Sequence, residues 1–131
     1  DRIPGMIAAM DILVHPSLRE GLARALPQAL ILGRPVVSFD IDGAREVIIN
    51  GKTGFLIPPP EPQRSPDRSV GAKGEHASLQ KLAELIIYLL KHPKEAKQMG
   101  QKGKELVQQN FNANYMVERI INTYKNIVEC N

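Results

Sequence analysis

Three short runs of the chain are apolar at almost every position: "DILVH" at 11–15, "VVSF" at 36–39 and "GFLI" at 54–57. Each is rich in β-branched or aromatic residues and bounded by Pro, Gly or Asp, which predicts a strand. None alternates apolar with polar positions, so each is expected to be covered on both faces, as in a parallel sheet between helices. The stretches before and between them carry helical patterns: "IPGMIAAM" (3–10), "ARALPQALILG" (23–33) and "GAREVIIN" (43–50). Strand alternating with helix is the signature of an α/β domain with right-handed crossovers.

Residues 58–76, "PPPEPQRSPDRSVGAKGEH", interrupt this pattern. Five of the chain's ten prolines fall there, and large apolar side chains are almost absent. Such a segment buries too little surface to offset the entropy of ordering it, so an exposed loop is expected. Beyond it the pattern is helical. "SLQKLAELIIYLLKH" (78–92) places Leu79, Leu82, Leu85, Ile86, Leu89 and Leu90 at helical spacing, with Ser78 to cap it and Pro93 to stop it. The polar run 94–110 carries a thin stripe of Ala96, Met99, Leu106 and Val107. Residues 112–130 align Met116, Val117, Ile120, Ile121, Tyr124, Ile127 and Val128. Both stripes are expected to face the core. The whole chain, 1–131, is read as one α/β domain: a parallel sheet flanked by helices.

Composition narrows the function classes. With 131 residues, 43% of them hydrophobic, the chain can build one core. A net charge of +3 with acids and bases interleaved, and no Trp, argues against a nucleic-acid partner. The single Cys130 excludes an internal disulfide and a cysteine zinc site, and it suits a reducing, cytoplasmic setting. No apolar run approaches the ~20 residues of a membrane span.

The chemistry concentrates in "HPSLREGLARALPQ" (15–28). Because "DILVH" ends at His15, the residues from Pro16 to Leu22 fall at the carboxyl end of a strand, where ligands gather in open parallel sheets. A helix starting between Ala23 and Ala25 offers unpaired amides, and Pro27 is tolerated in its first turn. A glycine turn feeding such a start suits an anion, with Gly21 admitting a ligand close to the backbone. The same residues also suit a plain turn in which Glu20 stabilises the helix dipole. Spacing leaves the two readings open. His15, a lone histidine, reads as structural.

From about Ile7 to Pro59 the landmarks "DILVHPS", "EGL", "GRPVV", "DGAREV" and "NGKTGFLIPP" follow one another in order. This succession resembles the C-terminal domain of retaining GT-B glycosyltransferases, family 4, group 1, of which the chain matches the second half. The resemblance implies a Rossmann-like half-domain whose three strands close a six-stranded sheet ordered 3-2-1-4-5-6. It also implies metal-free transfer of a sugar from a nucleotide-diphosphate donor to an acceptor hydroxyl, with no cofactor. In that family a glutamate, seven residues and a second glutamate face the donor. Glu20 takes the first place, for the sugar's hydroxyls, and Gln28 stands at the second, for the ribose. Gln28 keeps a carbonyl acceptor but not the charge. Gly21, Leu22 and Ala23 are expected at the sugar and diphosphate, and the backbone of Gly43 and Ala44 near the donor. Arg45 could reach a phosphate, although a single arginine on a loop is usually solvated. The expected partners are the donor, an N-terminal acceptor domain of the same protein, and a membrane met peripherally. A second copy is a further one, met through the open Ile12–Val14 edge. A GT-B nucleotide-sugar epimerase and a non-catalytic nucleotide-binding fragment are the alternatives.

Overall fold

A computed structural model describes residues 2–21, 23–41, 43–60 and 68–129, with the backbone alone described at 68–75 and 129. Three strands, β1 (Leu13–His15), β2 (Val36–Phe39) and β3 (Gly54–Ile57), form one sheet in the order β1-β2-β3. Both pairings are parallel, Leu13 lying opposite Val36 and Val36 opposite Gly54. Helices α1 (Ile3–Ala8), α2 (Ala25–Ile31) and α3 (Ala44–Val47) precede the strands or connect them, and α4 (Arg68–Lys91), α5 (Pro93–Asn110) and α6 (Ala113–Glu129) follow. The expected α/β class, strands and strand order are all observed.

Successive residues of a strand point to opposite faces. In β2, which is buried at every position, this alternation builds two cores. Val36 joins Ile7, Leu26, Leu30, Val47 and Val107 on one face. Val37 and Phe39 join Ile57, Leu89, Ala96 and Met99 on the other. The sheet is therefore the middle of three layers. Only β2 is buried at every position; β1 is half-buried throughout, and β3 is buried at its two ends.

Helix α2 ends in a Schellman turn. The Arg34 N–H donates to the Ala29 carbonyl and the Gly33 N–H to that of Leu30, with Gly33 at φ +70. The carbonyl of that glycine lies against α5. A Cβ built on Gly100 would stand 2.0 Å from the Gly33 oxygen, and one on Gly103 would stand 2.4 Å from a methyl of Leu30. Two glycines thus let α5 seat directly on α2. Arg34 also donates to the Ala8 carbonyl at 2.6 Å, tying down the end of α1.

Two expectations are corrected. Helix α4 begins at Arg68, so residues 68–76 are helix rather than loop. The leucine-rich stretch supplies the nucleus, and each residue added in front of it gains a hydrogen bond, which outweighs the poor propensity of Gly71 and Gly74. The remainder of the expected loop shows no regular structure at 58–60, and 61–67 lie outside the described residues. The α6 stripe does not face the core: Met116, Val117, Ile120, Ile121, Tyr124, Ile127 and Val128 are all exposed. By then α5 has already covered α2, and α4 has covered the other face of the sheet. An amphipathic stripe specifies that a face can be buried, not what will bury it.

Candidate functional site

β1 and β2 end side by side, His15 opposite Ser38, and the chain leaves both at the same rim. Ser38 is fully buried, and its single hydroxyl proton is shared between the Phe39 carbonyl at 3.0 Å and the His15 carbonyl at 3.2 Å, which links the end of β1 to the central strand. The turn beyond His15 carries Glu20 and Gly21, both exposed. The loop beyond β2 carries Gly43, whose N–H donates to the Gly21 carbonyl at 3.1 Å. This bond joins the two loops that the sequence placed separately on the rim. Glu20, Gly21, Gly43 and Ala44 are thereby brought together.

Glu20 points back to the strand end. One carboxylate oxygen lies 4.0 Å from His15 Nε2, and the glutamate side chain is 44% exposed against 16% for the histidine. Helix α2 has Arg24 at its N-cap, no side-chain cap and no acidic residue in its first turn. Gly21 has ordinary negative φ, and a Cβ on it would meet no described atom within 4 Å. Neither backbone strain nor packing accounts for a glycine there.

The other expected residues are placed as follows. Leu22 lies outside the described residues. Ala23 is buried among the α2 core residues, so only its backbone can face the rim. Gln28 is exposed on α2, within its first turns. The Gly43 and Ala44 amides are both already engaged, the first by Gly21 and the second by the Ile41 carbonyl at 2.9 Å. They can line a ligand site, but their N–H groups are not free to donate to it.

Arg45 is not free either. Its Nε and a terminal nitrogen donate to the two carboxylate oxygens of Asp40, at 2.5 and 2.6 Å. The fork closes a loop of α3 onto the end of β2. Sequence reasoning missed this pair; the signal was an acid just after "VVSF" and an arginine five residues on. The Arg45 hydrogen bonds hold the Asp40 carboxyl below the usual carboxylate range, with burial opposing and charge attraction reinforcing them. A carboxyl with a lowered folded value stabilises the fold fully above its unfolded value near 4, and that contribution is lost as pH falls through the folded value. Asp40→Asn is therefore expected to flatten the fall in stability below about pH 4. Urea melts of both proteins across that range check this; parallel curves would show the pair to be inert.

Among the described residues no group of three His, Cys, Asp or Glu is placed to hold a metal ion. No described helix is long and apolar enough to cross a membrane. A cavity of about 730 Å³ opens at the opposite end of the strands, lined by Ile12, Arg34, Pro35, Leu89, Ala96 and Lys97 among others, away from Glu20.

A sequence profile described as "Glycosyl transferases group 1" matches residues 1–68, which include both rim loops and all three strands. The chain belongs to this glycosyl transferase family. Trehalose synthase of Pyrococcus horikoshii is 33% identical to it over 113 residues, 86% of this chain and 23% of that protein. Alpha-maltose-1-phosphate synthase of Mycolicibacterium smegmatis is 25% identical over 126 residues, 96% of this chain and 30% of that protein. Among solved structures, HepE from Anabaena, crystallised with UDP-glucose, matches with a TM-score of 0.74 at 24% identity, over 96% of this chain and 30% of that chain. The C-terminal domain of LpcC, a glycosyl transferase group 1 family protein from Francisella tularensis, matches with a TM-score of 0.67 at 22% identity, over 85% of this chain and 48% of that chain. These structural matches show that the chain has the fold of part of a GT-B domain. It spans about a quarter of the length of the curated relatives named.

Proposed function

We propose that the chain is part of the donor-binding domain of a retaining family 4 glycosyltransferase, which moves a sugar from a nucleoside-diphosphate sugar to an acceptor hydroxyl. The observation that carries this reading is the hydrogen bond from Gly43 to Gly21 beside an exposed carboxylate, at the carboxyl ends of parallel strands. That is where ligands of such sheets bind, and it falls inside the segment matched by the family. A structural neighbour's complexes with UDP-glucose and with UDP support a nucleoside diphosphate or its sugar as the ligand class.

In this reading Glu20 holds the hydroxyls of the transferred sugar. The backbone at Gly21, Leu22 and Ala23 borders the sugar and diphosphate, and Gln28 accepts from a ribose hydroxyl. Gly43 and Ala44 form a wall. Transfer uses no metal and no cofactor; it rests on preorganised groups aimed where the leaving diphosphate gathers charge. An acceptor-binding domain of the same protein completes the site and covers the apolar face of α6, and the protein works in the cytoplasm, meeting membranes peripherally where its acceptor lies there. Incubating the full-length protein with radiolabelled UDP- and GDP-sugars and a mixed acceptor pool tests the reading. Label in a new glycoside supports it; label confined to the intact or epimerised donor overturns it.

Two further outcomes are expected. Gln28→Glu restores an acidic acceptor at the ribose position, and charge-assisted bonds are roughly twice as strong as neutral ones. Calorimetry on the full-length protein should read nucleoside-diphosphate affinity unchanged or tighter by about 1 kcal/mol, and a large loss would move the ribose elsewhere. The chain on its own exposes the free edge of β1 and the face of α6. It is expected to transfer no sugar and to gain mass with concentration in sedimentation; a monodisperse monomer at high concentration would show both surfaces to be inert.

A further inference from the structure

We propose that His15 is a positioning residue for Glu20: its Nε2–H takes hold of one carboxylate oxygen and leaves the other aimed at the ligand. The inference rests on the donor-sugar role proposed for Glu20. It starts from the rigidity of the strand end. His15 is the last residue of β1, paired with Ser38, and its carbonyl is held by the fully buried Ser38 hydroxyl at 3.2 Å. Glu20, in contrast, stands half-exposed on an irregular turn, where an unanchored glutamate samples many rotamers.

The imidazole has one usable polar atom. Nδ1 is buried and finds no hydrogen-bond partner among the described residues. A buried N–H left without an acceptor is rarer, and more unfavourable, than an acceptor left without a donor. The proton therefore belongs on Nε2, the nitrogen that faces Glu20 Oε1 across 4.0 Å. That separation is too long for a hydrogen bond. It lies within the reach of one rotamer change of an exposed glutamate, and hydrogen bonds at such sites commonly tighten only when ligand is bound. A plain core histidine would satisfy Nδ1 and would have no reason to turn its other nitrogen toward the one carboxylate of the rim turn. Holding one oxygen of Glu20 as the donor binds aligns the other oxygen.

The test uses four variants of the full-length transferase: His15→Phe, His15→Gln, Glu20→Gln, and His15→Phe combined with Glu20→Gln. Glutamine places an N–H near the position of Nε2, whereas phenylalanine keeps the ring and loses it. His15→Phe is expected to lower kcat/KM for the donor about tenfold, the scale of one hydrogen bond to a charged group, and His15→Gln to recover most of that. Added to Glu20→Gln, His15→Phe should lower kcat/KM by less than twofold further, since its target is no longer an anion. Equal losses from both His15 variants, or full additivity with Glu20→Gln, would overturn the proposal. If Glu20→Gln itself leaves turnover unchanged while His15→Phe lowers it, the sugar-binding role of Glu20 has failed instead, and this proposal falls with it. Nitrogen-15 spectra of the unmodified full-length protein give a readout that needs no variant to fold. They should show the His15 proton on Nε2, and a proton on Nδ1 would overturn the assignment.

Discussion

Replacing Gly100 by alanine is expected to destabilise the chain by about 2 kcal/mol, although alanine is the better helix former. The added methyl would stand 2.0 Å from the Gly33 carbonyl oxygen, 2.7 Å from its carbon and 3.2 Å from the Pro35 nitrogen. All three are backbone atoms, so no side-chain rotamer relieves the clash. Gly33 cannot yield, because its left-handed conformation closes the Schellman turn that ends α2. The remaining adjustment is for α5 to lift away from α2, and this would loosen Gly103 against Leu30 and Val107 within its core cluster. The helical gain of glycine to alanine is ~1 kcal/mol, and overpacking a rigid contact costs 1–3 kcal/mol or more. Contact with an immobile backbone puts this case at the upper end, so the clash wins. Gly5 in α1 provides the control: its Cβ would meet nothing within 4 Å, and Gly5→Ala should be neutral or slightly stabilising. Thermal melts of the two variants decide the matter. Equal stabilities would mean that α5 is not seated on α2 through these glycines.

The contrast between α5 and α6 shows what the sequence could convey. "VVSF" announced its place in the sheet because a strand buried on both faces needs apolar residues at every position. The strand at "DILVH" is shorter than its pattern, since pairing with β2 starts only at Leu13. In α5 the apolar stripe was legible but the two glycines inside it were not. Ala96, Gly100, Gly103 and Val107 share a face at helical spacing, and small residues repeated there were the available sign of a close approach. What they approach is a turn made some seventy residues earlier, and no local pattern reports that. In α6 the pattern was equally clear and its partner is not on this chain's surface, so the stripe is exposed. Periodicity reports a face; topology decides what it meets.

The rim divides in the same way. That Glu20 and Gly21 lie at a strand's carboxyl end follows from where the apolar run stops, and the family landmarks singled them out. The Gly43–Gly21 bond is a contact between separate segments of chain, whereas the Asp40–Arg45 fork and the approach of His15 to Glu20 each span only five residues. The first depends on the strand order and could not be read from spacing; the other two depend on how each loop turns after its strand. One of these contacts bears on Arg45. Arg45, for which the sequence left a phosphate contact and plain solvation open, is instead held by both oxygens of Asp40.

Glu20→Gln in the full-length enzyme is expected to lower kcat/KM by about 10- to 100-fold, equivalent to ~1–3 kcal/mol of lost transition-state stabilisation. Glutamine has nearly the shape of glutamate but offers one neutral acceptor and an amide in place of two charged oxygens. A sugar hydroxyl that donates to the carboxylate would keep at most the neutral bond, about half as strong. One that donates to the oxygen replaced by NH2 would face a donor. The fold should be indifferent, because Glu20 is exposed and caps no helix; surface changes of this kind usually stay within about 0.5 kcal/mol. The expected signature is thus a large kinetic loss at unchanged Tm. The split between constants adds a second check. If the hydroxyl contacts tighten as the glycosidic bond breaks, kcat falls with kcat/KM; if they are equal in ground and transition states, KM rises alone. Unchanged turnover with unchanged Tm would remove Glu20 from the site and leave the turn as a connection only. A fall in Tm parallel to the loss of rate would assign Glu20 to the fold, acting through His15 at the end of β1.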